Sequence, residues 1–257
     1  MMIAMGRIAA IAALLLAQIA LASGAELKVY STIGVKSVLE ELIPKFETTT
    51  GHKLNVTWST AALLTKRVLA GEMADALVLV RGNVDALLKA GKIAAGSDAS
   101  LGKSTIAVAV KQGAAKPDIS TPESLKKALL SAKAIAYSNP AAGGASGVYF
   151  AKQLVKLGIA DEMKAKTKFP PPGGFAGTLL VNGDADIAIQ TTPELASVSG
   201  VEVVGPLPGD MAFTATFAAG VGAGAGAKEA VAAKALIDFL KSPEAQAVFK
   251  AKGFGPP

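Results

Sequence analysis

The stretch Ser138-Asn139-Pro140-Ala141-Ala142-Gly143-Gly144-Ala145-Ser146-Gly147 follows the apolar run Ala134-Ile135-Ala136-Tyr137 and precedes Val148-Tyr149-Phe150-Ala151-Lys152-Gln153-Leu154. The order is strand, glycine-rich turn, helix. Small residues let a ligand approach the backbone, and the first N–H groups of a helix have no partner within it, so such a turn suits an anion or a carboxylate. Ser138 and Ser146 add hydroxyl donors. The alternative is a tight connection whose glycines only solve a turn, and the other turns of the chain must decide between them.

Working outward, the same unit recurs. Leu27–Ser31 reads as a buried strand, and Val35, Val38, Leu39, Leu42 and Phe46 then fall on one helical face, with Pro44 expected to kink that helix or mark its last turns. Leu54–Trp58 is a second strand, Ala61–Ala70 a helix, Ala76–Val80 a third strand and Val84–Ala90 a short helix. A polar stretch over Ala95–Lys103 reads as flexible, and Thr105–Val110 as a long apolar strand crossing into a second lobe. There the pattern repeats: helix Pro122–Ser131, strand Ala134–Tyr137, the glycine-rich turn and helix Ser146–Leu157. The loop Phe169-Pro170-Pro171-Pro172-Gly173-Gly174 is placed at a lobe surface or crevice rim, followed by helix Phe175–Val181 and strand Asp186–Gln190. Val201–Val204 and Ala212–Ala219 bring the chain back, and helix Ala227–Leu240 and a last helix capped by Ser242-Pro243-Glu244 close the first lobe. Strands alternating with helices at these lengths predict an α/β protein with mainly parallel sheets covered on both faces.

The first residues are a different matter. Met1–Arg7 carries one positive charge, Ile8–Leu21 is almost wholly apolar, and small residues follow at Ala20, Ala22, Gly24 and Ala25. This reads as a secretory signal peptide over residues 1–25, cleaved after Ala22 or Ala25, which places the mature protein in the periplasm. Roughly 230 residues remain, enough for two lobes with their own cores. The chain has no cysteine, which removes thiolate catalysis, cysteine metal sites and a lipid-anchored cysteine. The formal charge of +6 comes from scattered lysines without clustered arginine or interleaved aromatics, so nucleic acid is not expected as a partner.

In open parallel sheets ligands sit beyond the carboxyl ends of the strands. The turns Thr32–Gly34, Ser59–Ala61, Ser138–Gly147 and Gln190–Thr192 are therefore expected to face one crevice. The candidate ligand-binding residues are Thr32, Gly34, Thr60, Ala61, Ser138, Gly144, Ala145, Ser146, Gln190 and Thr191. Arg81 joins them because it directly follows the strand ending at Val80 and could hold a carboxylate in two bonds. Arg67, a turn and a half into its helix, ranks below it. For Thr60 and Thr191, a cap or turn hydrogen bond competes with ligand contact. His52, the sole histidine, precedes a strand at the opposite edge and reads as a surface-loop residue. A Ser-His-Asp arrangement and a histidine-rich metal site are not expected, nor is a cofactor. Gly144-Ala145-Ser146-Gly147-Val148 misses the nucleophile-elbow pattern by its last residue, and Gly222–Lys228 lacks the spacing of a phosphate loop. Asp184 and Asp186 read as a solvated turn.

Four stretches in this order then carry a resemblance over nearly the whole mature chain: Val29-Tyr30-Ser31-Thr32-Ile33-Gly34, Trp58-Ser59-Thr60-Ala61-Ala62-Leu63, Pro140–Gly147, and Phe239-Leu240-Lys241-Ser242-Pro243-Glu244-Ala245-Gln246. The chain resembles the periplasmic solute-binding proteins of the molybdate-binding-like group. The resemblance implies the type II periplasmic-binding fold, two α/β lobes joined by crossover strands, with residues 26–104 and 205–257 in one lobe and 105–204 in the other. It also implies a monomer that holds a small anion and delivers it to an ABC-type membrane transporter. Oxyanion binders of the group place a serine in the first turn, a serine in the second and a tyrosine after the late strand. The matching places here hold Gly34, Ala61 and Thr191, with Thr32, Thr60 and Thr192 close by. Lost donors would leave a tetrahedral oxyanion poorly paired, at about a kcal/mol or more per bond. The Asn139–Gly147 turn looks more like the branch that includes aconitate isomerase, which implies a di- or tricarboxylate. The second reading is an isomerase using the same pocket, with Lys36, Lys103 and Glu194 as options for the base.

Overall fold

The computed structural model describes residues 24–171 and 173–257; the segment read as a signal peptide, apart from Gly24 and Ala25, lies outside them. Nine strands among the described residues form one curled sheet in the order β2-β1-β3-β9-β4-β7-β5-β6, with β8 paired to β4. In its first half, β1 (Glu26–Thr32) runs parallel to β2 (Lys53–Ser59) and β3 (Ala76–Val80). In its second, β5 (Ile135–Tyr137) runs parallel to β6 (Thr167–Lys168) and β7 (Ile187–Thr191). The long strand β4 (Ala99–Lys111) ties the halves together, pairing antiparallel in the first half with β9 (Thr214–Val221), itself antiparallel to β3. β4 pairs with β9 up to Thr105, and from Ile106 onward with β7 and β8 (Val201–Pro206).

The start of β4 differs from the sequence reading, which took residues up to Lys103 as flexible. Ser100, Lys103 and Ser104 make the segment look polar, yet Leu101 is wholly buried, and a bulge between Ser100 and Gly102 fits the strand to β9. Gly102 lies against the carbonyl of Gly255 and the side chain of Phe254, a contact with the chain's end that no local pattern announces.

Each half has apolar cores on both faces of its strands. Val29, Val38, Leu42 and Phe46 belong to one face of the first half and Leu64, Leu77 and Leu87 to the other. Val108, Leu125, Phe150 and Ile189 lie on one face of the second half, and Ala136, Ala188 and Leu195 on the other. The helix α1 (Lys36–Thr50) buries Val38, Leu39, Leu42 and Phe46 and continues past Pro44 to a left-handed Gly51. His52 lies half-buried in the loop before β2, where its Nδ1 accepts the Ala25 N–H at 2.9 Å and its ring lies 6.0 Å from that of Phe46. Among the described residues, no helix is long and apolar enough to cross a membrane.

Several helices begin just past the ends of parallel strands. They include α2 (Ala61–Leu69) after β2, α3 (Arg81–Lys89) after β3, and α5 (Ala145–Lys156) after β5, with α4 (Pro122–Ser131) lying earlier in the chain. Further on come α6 (Ala160–Lys164), α7 (Gly177–Asn182), α8 (Thr192–Ala196) directly after β7, α9 (Ala227–Leu240) and α10 (Pro243–Ala251). The short α6 and β6 fall in a segment the sequence reading left unassigned.

Candidate functional site

The carboxyl ends of β1, β2, β3, β5 and β7 meet at one crevice between the two halves. Its inner chamber is lined by Thr32, Ile33, Gly34, Thr60, Ala61, Val80, Ile106, Ser138, Gly144, Ala145, Ser146, Thr191, Glu194, Phe213, Ala215 and Phe217. Nine of the eleven candidate residues are therefore brought together. Arg81 and Gln190 are not among the lining residues.

The donors differ in what already holds them. Thr32 is 5 % exposed, and no partner is found for its hydroxyl among the described residues. Ser138 accepts from Gln190 Nε2 at 3.1 Å and from Ser146 Oγ at 3.4 Å, so its own hydroxyl hydrogen is left for an acceptor in the chamber. The first N–H groups of α5, at Ala145 and Ser146, have no intrahelical partner and open onto the same space. Gly147 makes this possible: a Cβ there would lie 1.7 Å from the Ser138 carbonyl oxygen, so only glycine lets the helix start so close to the strand end.

Thr60 and Thr191 are engaged by protein. Thr60 Oγ1 accepts the Leu63 N–H, capping α2, and donates to the Ala142 carbonyl at 2.8 Å, a bond from one half to the other. Beside it, Gly143 at φ 73° sits so close to Ala62 that a Cβ would lie 2.6 Å from that methyl. Thr191 caps α8, with its hydroxyl and N–H both on Glu194 Oε2 at 2.5 and 3.1 Å.

Gln190 stands behind the chamber wall. It is fully buried, takes the Ala176 N–H on Oε1 at 2.7 Å and holds Ser138 with its amide nitrogen. Arg81 opens α3 at the expected edge, but its guanidinium turns to Asp98 at 2.7 Å, Asp85 at 3.2 Å and Ser100 at 3.2 Å. Carboxylates of the protein fill the fork that was expected to take one from a ligand. Arg67 is likewise held by Glu72 and the Tyr30 hydroxyl, and the bonds that Glu72 accepts from Arg67 and from that hydroxyl bring its carboxyl down to about 2.

Of the three options for a base, Glu194 lines the chamber. Lys103 instead donates to the Pro257 carbonyl at 3.0 Å, and Lys36 lies over the Trp58 ring, 5.9 Å from its centroid. Burial pushes the Glu194 carboxyl up from the ordinary carboxylate range, against the opposing pull of its bonds from Thr191. Phe213, Ala215 and Phe217 were not anticipated. They come from β9 and the turn before it, and Phe217 takes the space a side chain at residue 34 would need, with Cε1 2.7 Å from a Cβ there. Gly34 thus exchanges a hydroxyl for an aromatic floor; β9 is distant in sequence, and only the fold reveals the exchange.

A family model described as "Bacterial extracellular solute-binding protein" matches residues 27–255. The chain is 32% identical to an aconitate isomerase from Pseudomonas sp over 236 residues, covering 90% of this chain and 87% of that protein. It is 24% identical to the Escherichia coli (strain K12) molybdate-binding protein ModA, with 91% of each covered. The periplasmic molybdate-binding protein of Azotobacter vinelandii superposes with a TM-score of 0.72 at 21% identity, covering 90% of this chain and 99% of that one.

Proposed function

This chain belongs to the bacterial extracellular solute-binding proteins, in their molybdate-binding-like group with the type II periplasmic-binding fold, and from that premise we propose that it captures a small anion between its two lobes for ABC-type transport. The anion is a di- or tricarboxylate or an oxyanion. The lobes comprise residues 26–104 with 205–257, and 105–204; the leader over residues 1–25 directs export to the periplasm.

The observation that carries the reading is the convergence of Thr32, Ser138 and the N–H groups opening α5 on one recessed chamber walled by both lobes. Several uncharged donors can hold a negative charge without metal, and a ligand touching both lobes stabilises the shut form by its differential affinity. Isothermal titration of the purified mature protein with a panel of carboxylates and oxyanions tests it. Saturable binding of at least one is expected; no heat from any member overturns the reading.

A second reading is favoured by one observation, a buried carboxyl in the chamber of a chain similar to an aconitate isomerase. As carboxylate, Glu194 would take a proton from the methylene carbon of an unsaturated tricarboxylate. The electron pair spreads over the allylic system and its adjoining carboxylate, and the resulting acid returns the proton to the far carbon. A raised pKa brings a base of this kind toward neutrality. Incubation with one aconitate isomer and assay for the other separates the readings: conversion that Glu194→Gln abolishes makes the chain an enzyme, and binding without conversion leaves it a receptor.

A further inference from the structure

The inner chamber is small, with about 30 Å³ of room for the centres of water-sized groups. It opens past Ile33, Thr60, Ser138 and Gly144 into an outer chamber of about 160 Å³. The walls of that outer space include Trp58 and Ser59 at the end of β2, Leu63 on α2, Asn139 after β5, and the Pro170, Pro171, Gly173 and Gly174 positions of the proline-rich loop. The two spaces differ in chemistry. The inner one sets its few unengaged donors in a mainly apolar lining, whereas the outer one combines the Trp58 indole and the proline rings with the polar side chains of Ser59 and Asn139; the Lys36 ammonium lies over the indole and 3.7 Å from Glu40.

We infer that the ligand is an elongated aliphatic di- or tricarboxylate occupying both chambers, and that Trp58, Leu63 and Pro170–Pro171 form a subsite selecting for its carbon chain. This rests on the anion-binding reading above and deepens it. One carboxylate fits the inner space, accepting from Thr32, Ser138 and the start of α5. Its carbon chain lies along Phe217 and Trp58, and a distal carboxylate reaches water near the positive charge of Lys36. A tetrahedral oxyanion satisfies only the inner space, where the hydroxyls of Thr60 and Thr191 are already engaged. It would leave the larger space to water, and the indole and proline surfaces there gain little from a compact, strongly hydrated ion.

Trp58 is the sole tryptophan of the chain, so its emission reports on the outer chamber directly. The test titrates tricarballylate, succinate, sulfate and molybdate into the purified protein, following heat and tryptophan emission together. Tricarballylate is expected to bind at least on the order of tenfold more tightly than either oxyanion and to change the emission. Leu63→Glu, at a partly exposed helical position, places a negative charge on the outer wall. It should weaken tricarballylate on the order of tenfold.

Trp58→Leu should weaken tricarballylate similarly, with a thermal melt confirming the fold. Molybdate binding as tightly as tricarballylate, or tricarballylate affinity untouched by both variants, overturns the two-chamber inference and leaves the anion-binding reading standing. No heat from any anion overturns that reading, and the inference with it.

Discussion

Glu194 presents a negative group to a space that must hold a negative ligand, and its burial resolves the conflict by favouring the neutral form. The sign follows. A carboxyl whose folded-state pKa is raised adds stability below its unfolded value, near pH 4.3, and loses that contribution as the pH climbs through the folded value. Anion affinity should therefore fall across the same window, as the ionised Glu194 begins to repel the ligand. Calorimetric titrations carried upward from acid pH are expected to show that decline in the wild type and a flatter profile in Glu194→Gln, whose amide oxygen can still accept from Thr191. A second residue-scale prediction concerns Thr32. With no partner to lose among the described residues, Thr32→Val should leave the melting temperature nearly unchanged while lowering ligand affinity by about 1 kcal/mol, read by titration against wild type.

Among the elements, α5 decides the site because its first turn is pressed against the end of β5. A methyl at Gly147 would meet the Ser138 carbonyl at 1.7 Å, so Gly147→Ala must push the helix away, at a cost of about 1–3 kcal/mol, and withdraw the N–H groups of Ala145 and Ser146 from the chamber. Urea unfolding and ligand titration should both register the change. Gly82→Ala, in the helix α3 with open space around it, serves as the contrast and should be neutral or slightly stabilising.

At the scale of the whole molecule, the halves share β4, which pairs with β9 in the first and with β7 and β8 in the second, and they touch again across the crevice through Thr60 and Ala142. Thr60→Val removes that bond together with the cap on α2. Small-angle scattering of the ligand-free variant should show a larger radius of gyration, and affinity should fall by about 1–2 kcal/mol, with Thr60→Ser restoring both. The order of strands and helices was open to reading because each βα unit announces itself within a dozen residues, through an apolar run, a turn with its own chemistry and a 3.6-residue stripe. Where the first strands of the crossover lay was not, since Ala99–Ser104 earns its place only from β9 and the chain's end.

By itself, then, the amino-acid sequence determined the two-lobed α/β plan, the absence of thiol chemistry and which turns stand at strand ends, because periodicity, caps and composition are local properties. Only the tertiary structure decided how each polar group is used. Arg81 faces Asp98, Thr60 faces Ala142, Phe217 lies beneath Gly34, and Glu194 enters the chamber. Whether a hydroxyl or a guanidinium is left for a ligand depends on which groups of the protein reach it first. Those groups come from other strands and other turns, brought within 3 Å or so only when the sheet has curled and the lobes have met.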